Sequence, residues 1–333
     1  MRVPYDELKN AFKRVLLKRG FEEEMAETAA SIIADNSRDG VYSHGLNRFP
    51  SIVKAIDEGA IKPNMHPKKQ NGIGALEQWD GQLGFGPINA SIAMERAIEL
   101  AGENGIGCVA LSHTNHWLRG GTYGLKAADA GCIGICMTNT FPNMPPWGGT
   151  EKRIGNNPLI LSIPQKNGEH VLLDMAQSLF SYGKLQTYSL AGEKLPFDGG
   201  YDAEGNLTND PDAILNGGEV LPAGFWKGSG LSIAIDMVVS ALSIGRSTFD
   251  MRMDARDEGI SQLFIAINPT AYAGADYADE YIKNMSEYIK SSAKMDGVTD
   301  ILYPGERTAK EREENLKEGI PVNKEIWETV KKL

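Results

Sequence analysis

Four short apolar runs, spaced among helical patterns, constrain this chain more than any other feature. They occupy residues 106–111, 132–137, 159–163 and 170–174. Each has the length of a buried strand. Segments of helical periodicity at 88–104 and 121–131 precede the first and second of them. Strands alternating with helices call for a sheet covered on both faces. Before residue 72 the texture differs. Leu8, Phe12, Val15 and Leu16 make one apolar stripe, and Met25, Ala29, Ile32 and Ile33 make a second. Both have the spacing of amphipathic helices. A third helix is expected over 48–58, with Asn47 placed to cap it and Pro50 in its first turn. Further along, 191–216 reads as a long loop and 228–244 as a buried helix. Residues 264–267 read as a strand, 276–293 as an exposed helix, and 307–317 and 325–333 as helices.

A chain of 333 residues can bury a large core in two lobes. Its net charge of −10 disfavours nucleic acid and anionic membranes as partners. An anionic ligand would then need a local cluster of positive groups. Three cysteines, Cys108, Cys132 and Cys136, do not make a disulfide framework and suit a reducing compartment. The start of the chain carries Asp6 and Glu7 and no apolar core, so no secretory leader is expected. The apolar stretch 231–244 is broken by Asp236 and is too short to span a bilayer. A cytoplasmic protein is expected.

The sharpest local motif is Ser43, His44, Gly45, Leu46, Asn47, Arg48, Phe49, Pro50. An imidazole can supply a proton near neutral pH. A guanidinium four residues on can clamp a carboxylate through two hydrogen bonds. Gly45 would let a substrate approach the backbone. The same arrangement also suits a surface histidine at a helix start beside a solvated arginine. A helix N-terminus disfavours imidazolium, so an acid at His44 would need a carboxylate or another acceptor to support it. A second motif, with His113, His116 and Arg119 before Gly120 and Gly121, follows the first strand and suits a ligand-binding loop. His116 could hydrogen-bond a substrate oxygen. The two histidines also permit a zinc hydrolase, although their spacing is not that of a helical metal pair. Trp226 and Lys227 stand before Gly228-Ser229-Gly230 at a helix start, where a pyrophosphate or a plain turn fits equally. Gly305-Glu306-Arg307 forms a turn before a charged helix. No Gly-x-Gly-x-x-Gly fingerprint follows a strand and opens a helix, so a Rossmann fold is not supported.

The segment 43–50 resembles the signature of the non-Rossmann malate/L-lactate dehydrogenase family. The resemblance continues through residues 115–117, 119–121, 153–158, 180–183, 202–211, 225–230 and 304–306. It implies a mixed-sheet α/β cofactor-binding domain over 76–299. A helical domain would be formed by 1–75 with 300–333. It implies a homodimer, and reduction of a 2-keto acid by NADH with His44 as proton donor. Arg48 would bind the substrate carboxylate, with Ser43 and His116 in contact with substrate. NAD would be held by His170, Val171, Leu172, Leu173, Asp174, Met175 and Ala176, by Trp226 and Lys227, and by Gly305, Glu306 and Arg307. No metal ligand is implied. Arg307 departs from the family pattern, which leaves NADP open beside NAD. A diketo sugar acid is the preferred substrate. Malate, lactate, ureidoglycolate or a cyclic-imine acid is the alternative within the family. A non-catalytic binding protein would show no oxidation of NADH with any 2-keto acid.

Overall fold

The computed structural model describes residues 1–254, 256–273 and 275–333. The chain opens with a short strand, β1 (Arg2–Val3), then α1 (Tyr5–Leu17), α2 (Glu23–Arg38) and α3 (Phe49–Asp57). The apolar stripes read from the sequence face one another here. Leu8, Phe12, Val15, Ile33, Phe49 and Val53 are all buried in one cluster. Asn47 does not cap α3. It sits within a short 3-10 turn, and Arg48 occupies the cap position without a side-chain bond, while Pro50 lies in the first turn as expected.

The sheet is built from β2 (Lys68–Ile73), β3 (Leu76–Asp80), β4 (Ile106–Asn115), β5 (Ile133–Thr138), β6 (Leu159–Ile163), β7 (Val171–Met175) and a late strand, Glu258–Ile267. Between them run α4 (Gly86–Asn104) and α5 (Gly121–Asp129). After β7 come α6 (Tyr182–Ala191), β8 (Gly200–Tyr201), β9 (Leu207–Thr208), α7 (Pro211–Leu215) and β10 (Glu219–Val220). The region 191–216, expected as loop, thus carries a small hairpin and a helical turn. Next follow α8 (Trp226–Ser243) and β11 (Glu258–Ile267). The chain ends with α9 (Thr270–Ala273), α10 (Ala275–Lys290), α11 (Glu306–Glu318), β12 (Ile320–Pro321) and α12 (Lys324–Lys332).

The strand order is β2-β3-β4-β11-β5-β6-β7. Among the described strands of this sheet, only β3 and β4 are parallel neighbours; the other pairs are antiparallel. This is the expected mixed α/β class. The sheet starts earlier than the expected boundary at residue 76, because β2 is its first strand. One face packs under α4 and α5, with Met94, Tyr123, Cys136 and Phe264 buried together. The other packs under α8 through Ile235 and Val239. That helix is not buried all round, as its composition suggested. Leu231, Met237 and Val238 stay 38%, 66% and 40% exposed. Among the described residues no helix is long and apolar enough to cross a membrane.

The C-terminus returns to the N-terminal helices. β12 pairs with β1, and Trp327 and Val330 of α12 fill the cluster of α1 and α3. A buried carboxylate ties these layers together. Asp39, at the end of α2, receives Arg119 Nη1 at 2.6 Å and Arg38 Nε at 2.9 Å. Arg312 of α11 donates from Nε and Nη2 at 2.7 and 2.6 Å. Burial alone would raise the Asp39 carboxyl. The Arg312 hydrogen bonds and the charges of Arg119, Arg38 and Arg312 outweigh it and hold the group at about 2.

This carboxylate should therefore stabilise the fold fully above the ordinary aspartate range and lose its contribution as pH falls through about 2. Asp39→Asn leaves three guanidiniums facing a neutral amide. It should cost about 3–5 kcal/mol, the usual loss when a buried ion pair is broken from one side. Denaturant unfolding at neutral pH reads this directly. An unchanged midpoint would mean that the cluster does not hold the layers together.

Candidate active site

The segment carrying Ser43 and His44 follows Asp39 immediately and is stapled to α2. The buried Asn36 donates from Nδ2 to the His44 carbonyl at 3.0 Å, and Leu46 N–H donates to Ser37 Oγ at 2.9 Å. Gly45 is buried against α2, where an added Cβ would stand 2.1 Å from Ser37 Oγ. Its small size therefore serves the packing of this loop on the helix, not the approach of a substrate. Thr122 at the start of α5 donates to Asn36 Oδ1 at 3.0 Å, which fixes the loop to the sheet layer.

Ser43 Oγ lies 2.9 Å from His44 Nδ1. The His44 ring stacks on the His116 ring at 5.7 Å between centroids and 17° between planes. His116 follows β4 directly. Its Nδ1 accepts the N–H of Leu118 at 3.0 Å, so the neutral ring carries its hydrogen on Nε2. Leu118 adopts φ 65°, a left-handed conformation that a leucine enters only when the surroundings demand it. Asn115 anchors the turn by donating to the carbonyls of Ala60, Leu83 and Gly84. Arg48 is exposed and forms no ion pair with a described residue.

Burial, then the charges of Arg48 and Arg119, push the His44 imidazole down to about 4. Burial, Arg48 and His44 push His116 down as well. The acceptor expected to support an acid at His44 is the Ser43 hydroxyl; the charges that act on the ring are positive. Ser43, His44, Arg48 and His116 thus come together. Sequence reasoning missed Asp257. Its Oδ2 stands 4.0 Å from His116 Nε2, and its Oδ1 accepts Phe141 N–H at 2.9 Å. Burial raises this carboxyl to about 6, against the Phe141 hydrogen bond and the Arg48 charge. The partner Glu258 pairs with Asn115 across β11 and β4, which brings Asp257 beside His116 from far along the chain. Only the charged run before a buried strand hinted at it. Arg48, His116 and Asp257 line one open cleft of about 770 Å³.

His113 does not join this site. It points to Asp80, with Nδ1 at 3.1 Å from Oδ2. With Nδ1 of His116 held by Leu118, the two histidines do not form a ligand set for the zinc alternative. Among the described residues no group of three or more His, Cys, Asp or Glu side chains converges on a metal position.

The residues expected to hold a nicotinamide cofactor lie along β7, an edge strand. At one end, Leu172 N–H donates to Pro304 O at 2.8 Å. Gly305 there has φ 107°, and an added Cβ would stand 2.9 Å from the His170 carbonyl. A hollow of about 180 Å³ opens between His170, Leu172, Gly305 and Glu306. Arg307 is exposed and is not among the residues lining it. The His170 ring is committed elsewhere, to Asp129 and to Gln165 N–H. At the other end, Ala223 N–H donates to Gln177 O at 2.8 Å, which sets the exposed Trp226 and Lys227 just past Met175 and Ala176. Gln177 Oε1 and Ser178 Oγ are buried there with no hydrogen-bond partner. Asp174 accepts the N–H of Gly121 at 2.8 Å and so caps α5. An outward strand edge marked at both ends by tight turns, with two buried unpartnered polar atoms just beyond it, fits an extended polar ligand.

Residues 3–331 match the family model described as malate/L-lactate dehydrogenase. The chain is 45% identical over its full length, and that of its relative, to a 2,3-diketo-L-gulonate reductase of Haemophilus influenzae. It is 44% identical over the whole of both chains to a protein of that description from Citrobacter koseri. The malate dehydrogenase structure from Entamoeba histolytica superposes with a TM-score of 0.94 at 26% identity, covering 100% of this chain and 96% of that one. The chain therefore belongs to the malate/L-lactate dehydrogenase family and is an oxidoreductase of hydroxy and keto acids.

Proposed function

We propose that this enzyme reduces 2,3-diketo-L-gulonate to 3-keto-L-gulonate with NADH. The observation that carries the reading is the Arg48 guanidinium, unpaired among the described residues, in an open cleft that it lines with His116, whose ring stacks on that of His44. The full-length relatives of that description support the choice of substrate. Arg48 would grip the C1 carboxylate and turn the C2 carbonyl toward His44. His44 delivers a proton from Nε2 to the C2 oxygen, while Ser43 Oγ accepts from Nδ1–H and holds the ring plane. His116 Nε2–H steadies the same oxygen or its neighbour at C3. When bound, the dihydronicotinamide supplies the hydride. The strand His170–Ala176 backbone, Trp226, Lys227 and the Gly305–Arg307 turn would hold the cofactor. NADH is preferred over NADPH: Glu169 and Glu313 line the hollow at the far end of β7 with Lys310, while Glu306 is paired with Lys290 and Arg312 with Asp39, which leaves the lining net negative. Carboxylates there repel a 2′-phosphate. The two-part division into 1–75 with 300–333 and 76–299 is kept as a proposal, with β2 assigned to the sheet. Free Cys108, Cys132 and Cys136 suit a cytoplasmic setting.

His44→Asn should lower kcat by about 10²–10⁴-fold, as for a lost general acid, with NADH binding retained by fluorescence titration. Wild-type turnover in the variant would remove His44 from the chemistry. Reduction needs the protonated ring, and the free enzyme holds that ring at about 4. The rate at low substrate, kcat/KM, should therefore fall as pH rises above about 4. A bound carboxylate cancels part of the Arg48 charge, so the corresponding limb in kcat should lie at higher pH. Coincident limbs would mean that no anion sits beside His44.

We propose also that two copies pair through the exposed apolar face of α8, where Leu231, Met237 and Val238 face outward. Light scattering should give the mass of a dimer. Met237→Lys with Val238→Lys should give a monomer; a dimer of undiminished stability would place the interface elsewhere.

A further inference from the structure

The cleft beside His116 is far larger than a three-carbon acid requires, and it extends from Arg48 toward the end of α3 at Glu58. Most charged groups on its far wall are already paired. Arg256 bonds Glu58 and Glu258, and Arg246 bonds Asp254 Oδ2 at 2.8 Å and the Glu258 carbonyl at 2.9 Å. Asp257 differs. Its side chain is only 7% exposed, Oδ1 accepts Phe141 N–H at 2.9 Å, and Oδ2, which is not fully buried, bonds no described residue, with His116 Nε2 4.0 Å away. A carboxylate oxygen that opens on a cleft and is not bonded within the fold is placed to accept a hydrogen bond from a ligand hydroxyl. Arg48, His116 and Asp257 line the same cleft, so a substrate held by Arg48 can extend along the wall that carries Asp257.

We infer that Asp257 is the residue that selects polyhydroxylated keto acids, its free oxygen accepting hydrogen bonds from hydroxyls beyond the reacting carbon. This rests on the reductase reading above. A short acid such as lactate or malate leaves that oxygen to solvent and gains nothing from it. A polyol tail supplies donors and displaces solvent from the far wall. Discrimination of this kind, by a site built to bond a hydroxyl, rejects analogues that lack it. Asp257 touches substrate in this role but takes no part in hydride or proton transfer.

The test uses Asp257→Asn, which keeps a carbonyl oxygen for Phe141 N–H and the shape of the side chain. Two substrates of equal chain length are compared with NADH: 2,3-diketo-L-gulonate and 2-oxohexanoate, which has no hydroxyls. The expected result is a KM for the sugar acid raised about tenfold or more, consistent with a lost hydrogen bond to a charged group. The kcat for the sugar acid and the kcat/KM for 2-oxohexanoate should change little. In the wild type, kcat/KM should favour the sugar acid, and the variant should narrow that ratio. Equal losses on both substrates would assign Asp257 to the reaction centre through His116 and overturn the inference. No change on either would overturn it too. A variant that melts far below the wild type is replaced by Asp257→Glu, which keeps the charge but moves it; an unaltered ratio there would also overturn the inference. A wild type that reduces no 2-keto acid would defeat the reductase reading itself.

Discussion

A single buried carboxylate, Asp39, organises the part of the molecule on which everything else depends. It gathers guanidiniums from the end of α2, from the turn before α5 and from α11. These come from positions 38, 119 and 312, so one side chain joins the N-terminal helices, the sheet layer and the C-terminal return. Taking these charges out of water is expensive, and only the multiple short bonds offset the cost. The next residues along the chain are the loop that carries Ser43 and His44. Whatever fixes Asp39 therefore fixes the height of that loop over α5. Asn36 repeats the arrangement with neutral groups, holding the His44 carbonyl on one side and Thr122 on the other.

The same cluster shapes the electrostatics of the site. Three guanidiniums face two carboxylates, since Arg38 also pairs with Asp35, and the excess positive charge reaches His44 through Arg119. Arg48 adds a second positive charge, whose effect on the ring is the larger of the two. Burial does most to keep both imidazoles neutral, and these charges add to it, Arg48 on both rings and Arg119 on His44. A field of this sign attracts an anion and is cancelled by it. On the proposed reading, substrate binding and protonation of His44 are one linked equilibrium: the carboxylate that docks on Arg48 also restores the basicity of the ring. The negative charge of the whole chain makes such a local positive pocket more selective, because an anion finds little else to bind.

The sequence made some of this legible and hid the rest for identifiable reasons. Stripes such as Leu8, Phe12, Val15 and Leu16 showed themselves because a helix buried on one face writes its period into the chain. β6 was found at its true bounds, since a buried five-residue run has little room to shift. The segment 43–50 was visible because its residues act within a few positions of one another. Asp257 was not, because its meeting with His116 depends on β11 inserting between β4 and β5. No local pattern encodes that insertion. Gly45 was misread for a related reason. Its neighbour in space, Ser37, lies on a helix that the motif itself does not include. The composition of α8 suggested full burial, whereas Leu231, Met237 and Val238 leave it an exposed apolar face that composition alone cannot distinguish from a buried one.

The missing Gly-x-Gly-x-x-Gly fingerprint follows from the same geometry. A fingerprint arises where one turn between a strand and a helix must wrap a phosphate. Here the candidate cofactor groove runs along the side of β7, an edge strand whose outward backbone groups alternate at Leu172 and Asp174. Its ends are set by two separate turns, one at Gly305 with φ 107° and one at Phe225 with φ 61°. Positive φ at a phenylalanine is strain that the surrounding fold must sustain. It is sustained by the Ala223 and Gly228 hydrogen bonds that lock this turn to Gln177 and to itself. A groove defined by three distant segments leaves no contiguous motif. Each piece, read alone, is an ordinary strand or an ordinary turn, and only their alignment on one edge makes them a candidate site for one ligand.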